Sequence, residues 1–251
     1  MNSYSASLSA APRCTANFDH IARPYRWMEY LAFGPTLWRC RTYFLPELKN
    51  CRNALILGDG DGRFTAALLA AYPLLRADAV DSSATMLRLL TQRVHTAAPD
   101  ASTRLRSHHT DALAYVHGLP EEPRYDLIVT HFFLDCLAQS EVETLTQSVT
   151  SHLAPGALWL LSDFRIPAGP MNIPARALVR SLYLTFRILT GLRVKHLPDH
   201  AAALRAADFM QTAQRISLAG TLTTELWALR EPAYTSHHAV TASTSAHRSA
   251  S

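Results

Sequence analysis

The stretch Ala54-Leu55-Ile56-Leu57-Gly58-Asp59-Gly60-Asp61-Gly62-Arg63-Phe64 decides the fold. Four apolar residues that end at a glycine read as a fully buried strand. Residues 64–71 carry apolar positions at helical spacing, and Pro73 stops the run. Strand, glycine-rich turn and helix in that order form the ligand-facing corner of an open α/β sheet. Outward from this corner the pattern repeats. Residues 77–80 predict a second strand ending at Asp81, and residues 85–95 a helix. Residues 107–111 predict a third strand and its end, and residues 125–130 (YDLIVT) a fourth. Residues 141–153 predict a helix closed by Pro155-Gly156, and residues 157–162 (ALWLLS) a fifth strand. Residues 174–193 and 200–207 read as helices, and residues 214–218 and 223–229 as a final hairpin at the sheet edge. Such alternation predicts an α/β fold with a parallel sheet covered by helices on both faces.

Composition sets wider bounds. Of 251 residues, 48% are hydrophobic and 18% charged, which excludes wholesale disorder, collagen and coiled coil. The net charge of +4 comes from scattered, mostly arginine residues, with no basic run that would track a phosphate backbone, so no nucleic acid is expected as partner. Cys14, Cys40, Cys51 and Cys136 form no CxxC pair and no zinc spacing, so no metal is expected and the thiols read as reduced, in a cytoplasmic protein. No run of ~18 apolar residues predicts a membrane span. Residues 1–13 do not read as a secretory signal. Residues 1–16 and 232–251 are rich in Ser, Ala, Thr and His and are expected to be disordered, with His237, His238 and His247 solvated in the second tail.

The glycine loop admits two readings. A dinucleotide site asks for G-x-G-x-x-G, and the third glycine would then stand at Arg63. The spacing here is G-x-G-x-G, and Asp59 and Asp61 would repel a pyrophosphate. They would favour a ligand with positive charge, such as S-adenosylmethionine (SAM), which carries a sulfonium and an ammonium.

These residues resemble the class I SAM-dependent methyltransferases. Gly58, Gly60 and Gly62, with Asp59 between them, match the first motif of that family, where bare backbone lets the cofactor lie against the loop. Asp81 and Ser82 match the end of the second strand, whose acidic residue meets the ribose hydroxyls. Met86 matches an apolar position against the adenosine, and Asp111-Ala112 the position that meets the adenine amino group. The fourth strand followed by His131 matches the wall of the methyl-transfer site, and Leu153-Ala154-Pro155-Gly156-Ala157 the turn before the fifth strand. The resemblance spans roughly residues 18–230. It implies a Rossmann-like fold, a seven-stranded mostly parallel sheet with an antiparallel last strand, and a single domain over residues 17–231. One departure stands out. The family commonly carries an acidic residue two positions before the first glycine, near the cofactor's amino group, and Ile56 occupies it here. Asp59 and Asp61 are the loop carboxylates that could supply that charge.

Residues 18–25, Phe33-Gly34 and Trp38 are similar to the N-terminal signature of ubiquinone and menaquinone C-methyltransferases, with Arg26 where Asp usually follows the tyrosine. That likeness makes residues 17–50 a set of lid helices and Tyr25 a residue approaching the reaction site; the alternative is a packing helix with Tyr25 in a core. His131 reads either as a substrate contact and general base or as a pocket wall. Asp135 reads as a group that orients His131 or caps a helix. Arg176, Arg180 and Arg187 share one face of a helix in a lid insertion over residues 167–200, which either covers the substrate or meets a membrane surface weakly. His108 and His109 read as surface positions of a strand. The implied activity is methyl transfer from SAM to a small-molecule acceptor of aromatic, quinone-like or lipid-like character. The alternatives are a methyltransferase fold that binds SAM or a partner without turnover, and a nicotinamide-dependent oxidoreductase, which the glycine spacing disfavours.

Overall fold

A computed structural model describes residues 35–120, 122, 124–173, 175–177, 179–181 and 197–230. Its elements in chain order are α1 (Thr36–Thr42), β1 (Asn53–Leu57), α2 (Arg63–Ala71), β2 (Arg76–Asp81), α3 (Ala84–Ala97), β3 (Leu105–His109) and α4 (Ala112–His117). There follow β4 (Tyr125–His131), α5 (Gln139–Thr150), β5 (Leu153–Phe164), α6 (His200–Ala206), β6 (Phe209–Ser217) and β7 (Leu222–Leu229). The described positions between 172 and 181 are also helical.

The seven strands form one sheet in the order β3-β2-β1-β4-β5-β7-β6. The first five are parallel, and β7 runs antiparallel to both β5 and β6. The order reverses between β1 and β4, so the chain leaves β1 toward one edge and returns at β4 toward the other. Ligands of open α/β sheets bind beyond the carboxyl ends of the strands at such a switch point.

Side-chain alternation assigns the two faces. Leu55, Leu57, Trp159 and Trp227 pack with Val116 of α4, Val142 and Leu145 of α5 and Leu204 of α6. Ile56, Leu127, Val129 and Leu160 face the other way, against Phe64 and Leu68 of α2 and Leu90 and Val94 of α3. Each such side chain contributes about 1.5–3 kcal/mol when fully buried. Ile56 is 1% exposed within the second cluster, which explains why an apolar residue stands there.

Most predicted elements are present with shifted ends. Pro155 and Gly156 do not precede the fifth strand; they lie inside β5. Leu153 already pairs with Tyr125, and the register then slips so that Leu158 pairs with Leu127. Gly156 at φ 71° absorbs the irregularity. The sixth strand begins at Phe209, five residues earlier than expected, because an edge strand alternates with solvent and lacks an apolar run. His131 is the last residue of β4 and does not follow it. The short helix α4 had no sequence prediction, and α1 falls within residues 17–50, which were expected to be helical. Residues 1–16, the Tyr25 region of residues 17–34, Arg187 and residues 232–251 lie outside the described residues. Within the expected insertion Arg176 and Arg180 are exposed, while Ala175 and Val179 are buried.

Candidate active site

The loop after β1 is held by backbone geometry. The Gly58 N–H donates to the Val80 carbonyl at 3.0 Å, which ties the loop to the end of β2. All three loop glycines have positive φ, between 60° and 76°. Their roles then divide. A Cβ on Gly58 would collide with the Phe133 ring, and one on Gly62 would stand 2.6 Å from the Leu90 Cα. Among the described residues a Cβ on Gly60 would meet only the Met86 Sδ, at 4.0 Å. Gly58 and Gly62 are thus required by packing, and Gly60 borders open space with Met86 beside it.

The two loop aspartates also differ. Asp61 is neutralised locally, by Arg63 at 3.1 Å and Arg93 at 2.9 Å. Asp59 turns inward and is buried. Its Oδ2 accepts from the Thr65 N–H at 2.9 Å and from the Thr65 hydroxyl at 2.7 Å. Its Oδ1 is buried and has no hydrogen-bond partner among the described residues. Burial pushes the Asp59 carboxyl up, and the nearby Arg41 guanidinium and the Thr65 bonds pull it back only in part.

Asp81 ends β2 half-buried, and its Oδ1 accepts from the Ser83 N–H at 2.8 Å. Ser82 is exposed, its carbonyl bonded to the His109 imidazole at 3.0 Å. The Ser83 hydroxyl caps α3 by accepting from the Met86 N–H at 3.2 Å, which fixes Met86 under the loop. Asp111 is the N-cap of α4, with Oδ1 accepting from the Ala114 N–H at 3.0 Å, and Ala112 is buried behind it. The structure therefore gathers Gly60, Asp81, Met86 and Asp111 at the carboxyl ends of β1 to β3. His108 is not a bare surface position: its Nε2 lies 3.1 Å from the buried Asp78 Oδ1.

His131 is 2% exposed. Its ring packs edge-on against Phe64 at 4.5 Å between centroids, and among the described residues neither ring nitrogen has a hydrogen-bond partner. Burial, then the charge of Arg41, holds its pKa well below the ordinary value, so the ring is neutral. The neutral ring can accept a proton, but a pKa held that low makes it a weak base. Asp135 does not orient it and caps no helix. That carboxyl is buried in a short 3₁₀ turn, 3.5 Å from the Cys136 thiol, and hydrogen-bonds Asp163. Phe132, directly after β4, has φ 54° and pairs with Phe164 at 5.2 Å. A phenylalanine in this region is strained, and such strain clusters at functional sites.

Sequence reading missed Arg41, Asp163, His200 and Glu225. Arg41 is buried on α1, over the Phe132 ring. Asp163 is buried at the end of β5, where its Oδ1 accepts from the Phe164 N–H at 2.8 Å. Burial pushes Asp135 up to about 6; burial and then the Asp135 charge push Asp163 well above the carboxylate range. Two facing carboxyls in an apolar setting share one proton. His200 lies 3.4 Å from Glu225. An acidic residue just past an apolar strand run was the available signal for Asp163, the same one that singled out Asp81. Among the described residues no cluster of His, Cys, Asp and Glu could hold a metal, and no helix is long and apolar enough to cross a membrane.

Comparison with known proteins adds a family match. Residues 55–159 match the family model described as "Methyltransferase domain". No curated protein matches the chain. Among solved structures, a Nostoc punctiforme protein assigned as an O-methyltransferase superposes with a TM-score of 0.65 at 14% identity, covering 88% of this chain and 64% of that one. The S-adenosylmethionine-dependent methyltransferase SibL gives 0.59 at 18% identity, with 88% and 64% covered. An O-methyltransferase family 2 protein from Planctomyces limnophilus, in complex with apigenin, gives 0.58 at 20% identity, with 81% and 61% covered. The chain spans less than two thirds of the length of each of these three, and at such identities the likeness is one of fold. None of the three carries the expected similarity to ubiquinone C-methyltransferases. Gly60, Asp81 and Met86 thus lie in the segment, residues 55–159, that matches a methyltransferase-domain model, on a sheet with the Rossmann-like methyltransferase fold, and that match implies S-adenosylmethionine as the cofactor.

Proposed function

We propose that the protein transfers a methyl group from SAM to a hydroxyl of a small aromatic molecule. The observation that carries the cofactor side is the division among the glycines: two are locked against side chains, and Gly60 alone borders open space beside Met86. Met86 and Gly60 offer an apolar floor and bare backbone to an adenosine. Asp81 accepts ribose hydroxyls at the end of β2, and Asp111 with Ala112 borders the adenine. When bound, SAM would supply a methyl group on a sulfonium, whose displacement needs no acid because the leaving sulfide is neutral, and the phenol would enter as its phenolate, with its proton released to solvent beforehand. The chain has to hold an acceptor in line and exclude water. His131, neutral and buried, serves as a contact and not as the base. Tyr25 and the residue 17–50 lid, the residue 167–200 insertion and the single domain over residues 17–231 belong to this proposal.

On the acceptor side, Phe132, Phe133 and Phe164 stand half-buried at the carboxyl ends of β4 and β5 and suit an aromatic ring. Structural neighbours that are O-methyltransferases, one of them holding apigenin, favour a phenolic hydroxyl. The free thiols Cys40, Cys51 and Cys136 accord with a reducing, cytoplasmic setting. A second reading, a module that binds SAM without turnover, is favoured by Ile56 at the usually acidic position. Incubation with methyl-labelled SAM and a panel of phenols and flavonoids tests both. Label transfer to a phenol supports the enzyme, SAM binding without transfer across the panel supports the module, and absence of SAM binding refutes both.

A further inference from the structure

We propose that Asp59 and His131 together hold the amino-acid end of the cofactor, so that the carboxylate missing at Ile56 is supplied by Asp59 from within the glycine loop, with the neutral His131 ring at the end of β4 as a second hydrogen-bonding partner. This rests on the cofactor reading above and assigns one part of that ligand to two residues.

Three buried polar atoms carry the inference: among the described residues Asp59 Oδ1, His131 Nδ1 and His131 Nε2 have no hydrogen-bond partner. An unmet buried polar atom costs about 1–3 kcal/mol, so three at one end of a sheet call for a ligand that meets them. They lie at the carboxyl ends of β1 and β4, the adjacent parallel strands between which the sheet order reverses. Thr65 holds the other Asp59 oxygen with two hydrogen bonds, so the orientation of Oδ1 is fixed before any ligand arrives. His131 is fixed by Phe64. The buried Arg41 guanidinium is near enough to both to act on their protonation.

The chemistry of this set is selective. Ionised, as beside a bound ammonium, Asp59 presents Oδ1 as an acceptor only. A neutral imidazole donates from one nitrogen and accepts at the other. Arg41 adds a cation. A zwitterionic α-amino acid brings three ammonium donors and a carboxylate, which complement an anionic acceptor, a mixed imidazole and a guanidinium. A pyrophosphate would bring only acceptors and negative charge, against Asp59. Asp61 cannot take this part because Arg63 and Arg93 already neutralise it.

The test compares two probes on the full chain by calorimetry. S-adenosylhomocysteine carries the amino-acid end, and 5′-methylthioadenosine has the same adenosine and sulfur without it. Wild type should bind the first more tightly. In Asp59→Asn the amide oxygen can keep the Thr65 bonds, while an N–H₂ donor replaces the acceptor facing the ligand. This variant should weaken S-adenosylhomocysteine about ten- to a hundredfold and change methylthioadenosine less than about twofold. His131→Phe, which keeps the packing on Phe64, should show the same selectivity at about tenfold and decides the matter if Asp59→Asn fails to fold. Equal affinity of wild type for the two probes, or equal weakening of both in the variants, overturns the inference while leaving the cofactor reading intact. Failure of wild type to bind either probe overturns the cofactor reading and this inference with it.

Discussion

At the carboxyl ends of β1 and β2 most of the acidic groups are held by near neighbours: Asp61 pairs with Arg63, Asp59 with Thr65, and Asp81 with Ser83, while Asp61 also reaches a distant partner, Arg93 of α3. At the carboxyl ends of β4 and β5, and beside them on β7, the pairs join distant segments: Asp135 meets Asp163, and His200 meets Glu225. The first region is built largely by backbone and near neighbours, and among the described residues its buried Asp59 Oδ1 has no hydrogen-bond partner. The second is built by tertiary packing, and its carboxyls answer mainly to each other. A cofactor shared by many enzymes can be met with a loop written in consecutive residues. An acceptor site must be assembled from wherever the fold brings side chains together.

The largest expected effect separates the glycines. Gly62→Ala should lower stability by about 2–5 kcal/mol, from left-handed backbone strain and collision with Leu90. Gly60→Ala should cost only the backbone strain, about 1–2 kcal/mol, and yet weaken SAM binding. Denaturant unfolding and calorimetry on both variants check this; equal stability losses would erase the distinction between packing and ligand glycines. Next, Asp81→Asn should weaken SAM about ten- to a hundredfold, whereas Asp163→Asn should leave SAM affinity within about twofold. A SAM defect in Asp163→Asn as large as that in Asp81→Asn would merge the two regions.

Stability against pH sharpens the contrast further. Asp135 and Asp163 hold their shared proton more tightly folded than unfolded. Their contribution is therefore fully present below the ordinary value of 3.8 and is lost as pH rises through about 6 and beyond. Glu225 works oppositely. Burial raises it, but His200, Thr223 and Trp227 outweigh burial and hold it at about 2. Its contribution is present above 4.5 and is lost as pH falls toward 2. His131, held neutral, likewise favours the folded state above 6.5 and loses that contribution as pH falls below it. Urea midpoints from pH 4 to 8 should show the acid-side gain abolished in Asp163→Asn and the opposing loss reduced in His131→Phe. Unchanged profiles would deny the buried carboxyl pair. The smallest effect is expected for Asp61→Ala. It should cost at most about 1 kcal/mol and leave SAM affinity within about twofold, because its partners are partly solvated arginines.

The legible parts of the molecule follow from this contrast. Strands β1, β2, β4 and β5 announce themselves as apolar runs because both faces of a central parallel strand are buried. The edge strand β6 exposes alternate residues, so only its second half was readable. Helix α4 has six residues, and its cap Asp111 was read only as an adenine contact, although the same carboxylate also starts the helix. Gly58, Gly60 and Gly62 stood out as a motif, but nothing in the spacing says which of them faces Leu90 and which faces open space. Arg41 sits among Trp38, Arg39 and Thr42 on a short helix, and no pattern distinguishes the buried arginine from the exposed one. Asp163 becomes notable only when the fold places it against Asp135, twenty-eight positions away in the sequence.

A crystal structure of the complex with S-adenosylhomocysteine tests the central claim most directly. The account expects the adenosyl group against Met86 and Gly60, the ribose hydroxyls on Asp81, and the ammonium within hydrogen-bond distance of Asp59 Oδ1. A ligand bound away from the carboxyl ends of β1 and β2, or one lying there with Asp59 Oδ1 still unmet and its amino-acid end turned to solvent, would contradict it.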